Sequence, residues 1–231
     1  MNGFFGKTEK TAYLSQIKIY NRIKKTEMAR IPFLDRISDL TKISHRANFA
    51  KVDKHISELK FETHFEDLAA ARYTCRSYTD RPVRLAKVNK ILDVARLAPT
   101  AANLQPVHVW ALTSPEALDR IHQVHDAFGA PVVFLVGAKA DEAWVRSFDG
   151  KNAADGDAAI VATHIMLVSF DMGLGGAWIA SFDPAKVAEL FPETAGYEID
   201  FLLAIGHPAE DAEPTARHYQ RKSLEEFSTV L

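Results

Sequence analysis

The stretch AADGDAAIVATHIMLVSFDMGLGGAWIASF, residues 153–182, sets a long apolar run against a glycine-rich turn and a second, short apolar run. From Ala153 to Met172 the apolar residues fall on nearly every side of a helix, yet Asp155, Asp157, His164 and Asp171 interrupt them. Four ionisable groups in twenty residues argue against a membrane span and for a buried helix. A helix apolar almost all round must be covered on every side, and a dimer interface would do that. Gly173-Leu174-Gly175 invites comparison with the dinucleotide-binding fingerprint, and it fails twice. Trp178 occupies the third glycine position. The glycines also follow a helix and precede a strand, the reverse of what phosphate binding at a helix N-terminus requires. Gly173 is therefore expected to cap the helix at its C-terminus, with a strand over Ala177–Ala180. A doubly wound nucleotide fold is set aside.

Working outward, helices and strands alternate. Phe65 to Tyr73 has the pattern of a helix, and Leu85 to Leu97 that of an amphipathic one through Val88, Ile91, Leu92 and Ala95. Val107 to Leu112 is a strand; Ser114 then caps a helix with Pro115 at its first position. Pro131 precedes a β-branched strand over Val132–Val136. Asp183-Pro184 starts another helix, and Phe201–Ile205 is a last buried strand.

The first 60 residues differ in character. They carry 13 Lys and Arg against 6 Asp and Glu, whereas residues 61–231 carry 15 against 24. Leu34, Ile37 and Leu40, then Val52, Ile56 and Leu59, repeat at helical spacing in stripes too narrow to form a core of their own. Residues 1–62 are therefore expected to form a basic helical extension and 63–231 the main domain, with the boundary near Lys60–His64. No aromatic-interleaved basic run appears, which favours a solvated face or an arm across an acidic partner over nucleic-acid binding. An apolar leader with a cleavage site is not evident, and Glu9, Glu27 and Asp35 disfavour a transit peptide. The single cysteine, Cys75, cannot form an internal disulfide. It suits a reducing, cytoplasmic setting as a small buried hydrophobe. His122 and His125, three apart, lack further ligands for a metal.

Three segments carry candidate chemistry. Arg72-Tyr73-Thr74-Cys75-Arg76 sets two guanidinium groups on either side of a hydroxyl, able to surround one anion if the turn folds back. Ala98-Pro99-Thr100-Ala101-Ala102-Asn103-Leu104-Gln105-Pro106 places small and amide side chains on a loop directly before a strand. Gly173 to Phe182 is the third. In order, spacing and residue type, these three resemble the FMN-dependent nitroreductase family, over roughly Glu66 to Phe227.

The resemblance implies an α+β fold with a mainly antiparallel sheet flanked by helices, and a homodimer with two flavin sites at its interface. It places Arg72, Tyr73 and Thr74 in the ribityl-phosphate region and Arg76 near the reducible edge of the ring. A cation there favours the reduced, negatively charged ring. Pro99, Thr100, Ala101, Asn103 and Gln105 match the loop that reaches the flavin from the neighbouring subunit, although serine is frequent where Thr100, Ala101 and Ala102 stand. Val107 follows the Gln-Pro pair where tryptophan is frequent. Trp178, Ile179 and Ala180 match the strand along the flavin, with the Ala180 backbone near N5. Arg217-His218-Tyr219-Gln220-Arg221-Lys222 resembles the late basic motif, Arg221 being the best match and Arg217 a substitute for a lysine that is here Tyr219. A subgroup of the family also has a counterpart of Trp144–Lys151, expected to be a lid or a dimer loop.

The implied activity is reduction of nitroaromatics, quinones or related electrophilic acceptors by NADH or NADPH, in ping-pong hydride transfer through flavin N5. No catalytic side chain is required where the cofactor carries the chemistry. Two alternatives stay open: a flavin-binding or regulatory module without turnover, whose flavin neither nucleotide would reduce, and a dimer docked to nucleic acid or a protein partner by its basic arm. Steeply salt-dependent binding, lost on deleting residues 1–60, would mark the latter.

Overall fold

The computed structural model describes residues 65–231. The narrow helical stripes at 34–40 and 52–59, and the proposed boundary at 62/63, lie outside the described residues. Helix α1 spans Phe65–Ala71, with Glu66 and Asp67 in its first turn where the helix dipole favours acids. It stops two residues short of the expected end because Thr74 and Cys75 enter strand-like pairing. Residues Arg72–Leu231 form one compact unit, described from here on.

Four strands, β1 (Val107–Leu112), β2 (Val132–Ala138), β3 (Gly175–Ile179) and β4 (Glu198–Gly206), form one sheet in the order β1-β2-β4-β3. Every pair is antiparallel. The β2–β4 register slips between Val136 and Gly137, so that Phe201 and Ile199 find partners and Asp200 between them does not. Alternation along the strands supplies two cores, one on each face. Phe134, Val136, Leu203 and Ile205 point to one, and Val133, Leu135, Leu202 and Ala204 to the other.

Helices α2 (Leu85–Ala95) and α4 (Ala154–Asp171) cover the first face, and α3 (Pro115–His122) and α5 (Pro184–Leu190) lie on the second. The short helices begin where side chains take up their first free N–H groups. Ser114 Oγ accepts from Ala117 N at 3.2 Å, and Asp183 Oδ1 accepts from Ala185 N and Lys186 N at 3.0 and 3.1 Å. Arg120 of α3 donates through Nε to Leu190 O at 2.8 Å and through Nη2 to Glu193, tying α3 to the end of α5.

Helix α4 is the spine of the unit, touching all four strands and α2. Ala154, Asp157, Ala158, Val161, Ala162, Ile165, Val168 and Ser169 make a buried stripe at helical spacing. The opposite face is more open: Ile160 is 37% exposed, and Thr163, His164, Leu167 and Phe170 are half-buried. Gly173, at φ 75°, ends the helix as expected. Its N–H donates to Phe170 O at 3.0 Å and that of Leu174 to Ser169 O at 2.9 Å, the paired bonds of a left-handed cap. A last helical turn, α6, spans Leu224–Phe227.

Candidate functional site

Strand β3 is an edge of the sheet, and the segment after α1 is strapped along it. Thr74 bridges Gly176 in parallel, and Cys75 N donates to Gly176 O at 3.0 Å. That close approach explains the glycines of β3. A Cβ on Gly175 would sit 2.7 Å from both Cβ and Sγ of Cys75, and one on Gly176 would sit 2.9 Å from Ile205 Cδ1. Strand β3 therefore begins at Gly175, two residues before the expected start. It also ends at Ile179, which leaves Ala180 exposed just beyond it.

Further contacts hold the strap to the chain that leaves β4. Tyr78 Oη lies 2.7 Å from Cys75 O and 3.0 Å from Ala204 O. Thr79 N donates to His207 O at 2.8 Å, Ala209 N to Ser77 O at 3.1 Å, and Tyr73 Oη to Ala212 O at 3.3 Å. Cys75 is 1% exposed, and burial pushes its thiol above the usual range, so the protonated, unreactive form is favoured.

The strap is extended rather than folded back, so its side chains alternate. Tyr73 and Cys75 point inward, while Arg72, Thr74 and Arg76 line a basin of about 570 Å³. Thr215, Ala216, Arg217, His218 and Arg221, on and beside the helical turn Ala216–Tyr219, complete its wall. Four arginines and two threonines, more than 140 positions apart in sequence at the extremes, thus face one open space. The donor set suits a phosphate: guanidinium groups bind its oxygens with charge and paired N–H bonds, and threonine hydroxyls add neutral donors.

The other predicted residues lie elsewhere in the single chain. Pro99, Thr100, Ala101, Asn103 and Gln105 are on the exposed loop before β1 and do not line the basin. Three non-glycine residues there, Ala102, Asn103 and Gln105, have φ of 50°, 56° and 53°. Each such residue costs roughly 1–3 kcal/mol, a cost found where a surface has a task. Three side chains hold the shape: Thr100 Oγ1 accepts from Gln105 N at 3.1 Å, Asp157 Oδ1 accepts from Ala101 N at 2.9 Å, and Gln105 Nε2 donates to Asn103 O at 3.3 Å. Trp178 and Ile179 are on β3, where Trp178 tilts against Phe201 with ring centres 4.5 Å apart and Ile179 is buried on the opposite face. Before α4, the loop with Trp144–Lys151 shows Phe148 to solvent, and Arg146 clasps Asp149. Exposed His122 ends α3, and His125 serves a turn described below. Among the described residues no group of His, Cys, Asp or Glu is arranged to hold a metal ion.

Thr215, His218 and Asp157 were not singled out as site residues from sequence. The signal for the first two was adjacency to Arg217; for Asp157 it was an acid inside an otherwise apolar helix.

A model of the nitroreductase family matches residues 69–126 and 122–207. The chain belongs to the nitroreductase family. Among family members of known structure, a protein from Clostridium difficile 630 is 35% identical, with a TM-score of 0.68 over 72% of this chain and 98% of its own. A protein from Exiguobacterium sibiricum, solved in complex with FMN, shares the fold at 18% identity, with a TM-score of 0.64 over 74% of this chain and 99% of its own. An NADH dehydrogenase from Thermus thermophilus is 27% identical over 184 residues, covering 64% of this chain and 89% of that protein. The α+β fold with its antiparallel sheet is that of the nitroreductase family. No described helix is long and apolar enough to cross a membrane.

Proposed function

We propose that this chain is an FMN-dependent oxidoreductase that uses NADH or NADPH to reduce nitroaromatics, quinones or related electrophilic acceptors. The observation that carries the reading is the arginine basin, in which a strap near residue 74 and a turn near residue 217 bring two pairs of guanidinium groups to one place. Membership of the nitroreductase family, the nicotinamide-linked name of the Thermus relative and the FMN bound to the Exiguobacterium protein support it.

In this reading Arg72, Arg217 and Arg221 hold the phosphate of FMN, with Thr74 beside them and Tyr73 fixing the strap from below. Arg76 lies toward the reducible edge of the ring. When bound, FMN would supply the redox chemistry, hydride transfer through N5 between the nicotinamide and the acceptor in ping-pong fashion. Trp178, Ile179 and Ala180 would lie along the ring, with the Ala180 backbone toward N5. Pro99, Thr100, Ala101, Asn103 and Gln105 serve the site of a second copy, because they sit apart from the basin of their own chain.

The face of α4 that carries Ile160 supplies the homodimer interface, and residues 1–62 are an extension of the FMN-binding domain at 63–231. A cytoplasmic location and independence of nucleic acid and membrane belong to the same reading. Initial rates measured against both substrates test the cycle: parallel double-reciprocal lines are expected, and intersecting lines contradict it.

A further inference from the structure

Arg76 lines the basin, and its guanidinium carbon lies 5.7 Å from the centre of the Phe128 ring. A guanidinium within about 6 Å of an aromatic centroid is attracted by the ring's quadrupole. Among the described residues Arg76 makes no ion pair, and the Phe128 ring is what its charged end meets.

The turn that carries Phe128 is unusual. Ala127, Phe128 and Gly129 have φ of 48°, 56° and 68°, three left-handed residues in succession, two of them with side chains that disfavour it. Neighbouring side chains enforce the shape. Asp126 Oδ1 accepts from Phe128 N at 3.1 Å, and His125 Nδ1 accepts from Ala127 N at 2.9 Å. The His125 ring meets that of Phe128 at 72°, with centres 5.3 Å apart. Ala127 and Ala130 are buried and anchor the turn at both ends. A strained backbone, two side-chain caps and a buried footing thus present one half-buried ring to one arginine of the basin.

We propose that Phe128 is a positioning residue for Arg76. Its ring restrains a long, otherwise mobile side chain so that the guanidinium stays over the basin. The inference rests on the FMN reading, in which Arg76 faces the ring edge that becomes negative on reduction. A cation held there raises the flavin's midpoint potential, and one released into solvent raises it less.

The test uses the full chain reconstituted with FMN, with the two-electron midpoint potential measured by equilibration with reference dyes. Phe128→Gly removes the ring and suits the left-handed backbone, whereas Phe128→Trp keeps a ring face. F128G is expected to lower the potential in the same direction as R76A, F128W to restore it, and the double variant F128G/R76A to fall no lower than R76A alone. Reduction by the nicotinamide should slow about threefold to tenfold in F128G. If F128G does not fold, Phe128→Leu, which keeps bulk without a ring face, carries the same comparison. F128G with the wild-type potential, F128W lowered as far as F128G, or a double variant lowered by the sum of both effects overturns the inference while leaving FMN binding intact. A wild-type chain that takes up no FMN overturns the functional reading, and the inference with it.

Discussion

Asp157, 3% exposed on the buried face of α4, accepts the backbone N–H of Ala101 through Oδ1 at 2.9 Å. One carboxylate thereby fixes the strained loop before β1 to the helix that organises the sheet. Replacing Asp157 with Ala leaves that N–H without its charged acceptor, a loss of about 1.5–3 kcal/mol. Asp157→Asn keeps an acceptor oxygen and should lose less. Urea denaturation of the two variants checks the order, and equal stabilities would contradict the anchoring role.

Arg72 shares its basin with three other arginines, so its removal weakens phosphate binding without abolishing it. Arg72→Ala is expected to reduce FMN affinity by about 1.5–3 kcal/mol, the usual worth of a hydrogen bond to a charged group. Fluorescence titration with FMN measures it. Wild-type affinity would remove Arg72 from the site.

Ile160 is exposed on the face of α4 turned away from the sheet. A carboxylate there would be buried without a partner in a dimer formed through this face, at a cost of several kcal/mol. Ile160→Asp should sediment as a monomer and release FMN, if the Asn103 loop completes the site of the second copy. A dimer that keeps its flavin would place the interface elsewhere.

Asp200, unpaired at the β2–β4 register slip, has its carboxyl pushed up to about 6, first by burial and then by the charges of Asp155 and Glu198. Its folded value exceeds its unfolded one, so the native state holds the proton more tightly. Stability should fall as pH rises from about 4 to about 6 and stay reduced above that. Asp200→Asn removes this dependence and should raise the melting temperature at pH 8 more than at pH 4. An equal shift at both pH values would show that the carboxyl is not strained.

What was legible in the sequence was what local chemistry writes there. Val107–Leu112 is a strand with the bounds its β-branched and aromatic residues suggest, Ser114 and Asp183 cap their helices, and Gly173 ends α4. Less legible were features that depend on a distant neighbour. Gly175 and Gly176 carry no periodic signal, and they open β3 because Cys75 and Ile205 leave no room for a side chain. Strand β4 starts at Glu198 rather than Phe201, because its polar first residues and the unpaired Asp200 hide the alternation. The residue types at Arg72, Arg76, Arg217 and Arg221 were visible individually. Their meeting in one basin depends on the strap's bonds to His207, Ala209 and Ala212, which no local pattern encodes.

The central claim is that the chain holds FMN and that a nicotinamide reduces it. A visible absorption spectrum of the full-length protein supplied with FMN, followed by anaerobic addition of NADH and then NADPH, tests it most directly. A protein-bound flavin band that bleaches with one donor or both is the predicted result. A chain that binds no flavin, or whose bound flavin neither donor bleaches, would contradict it.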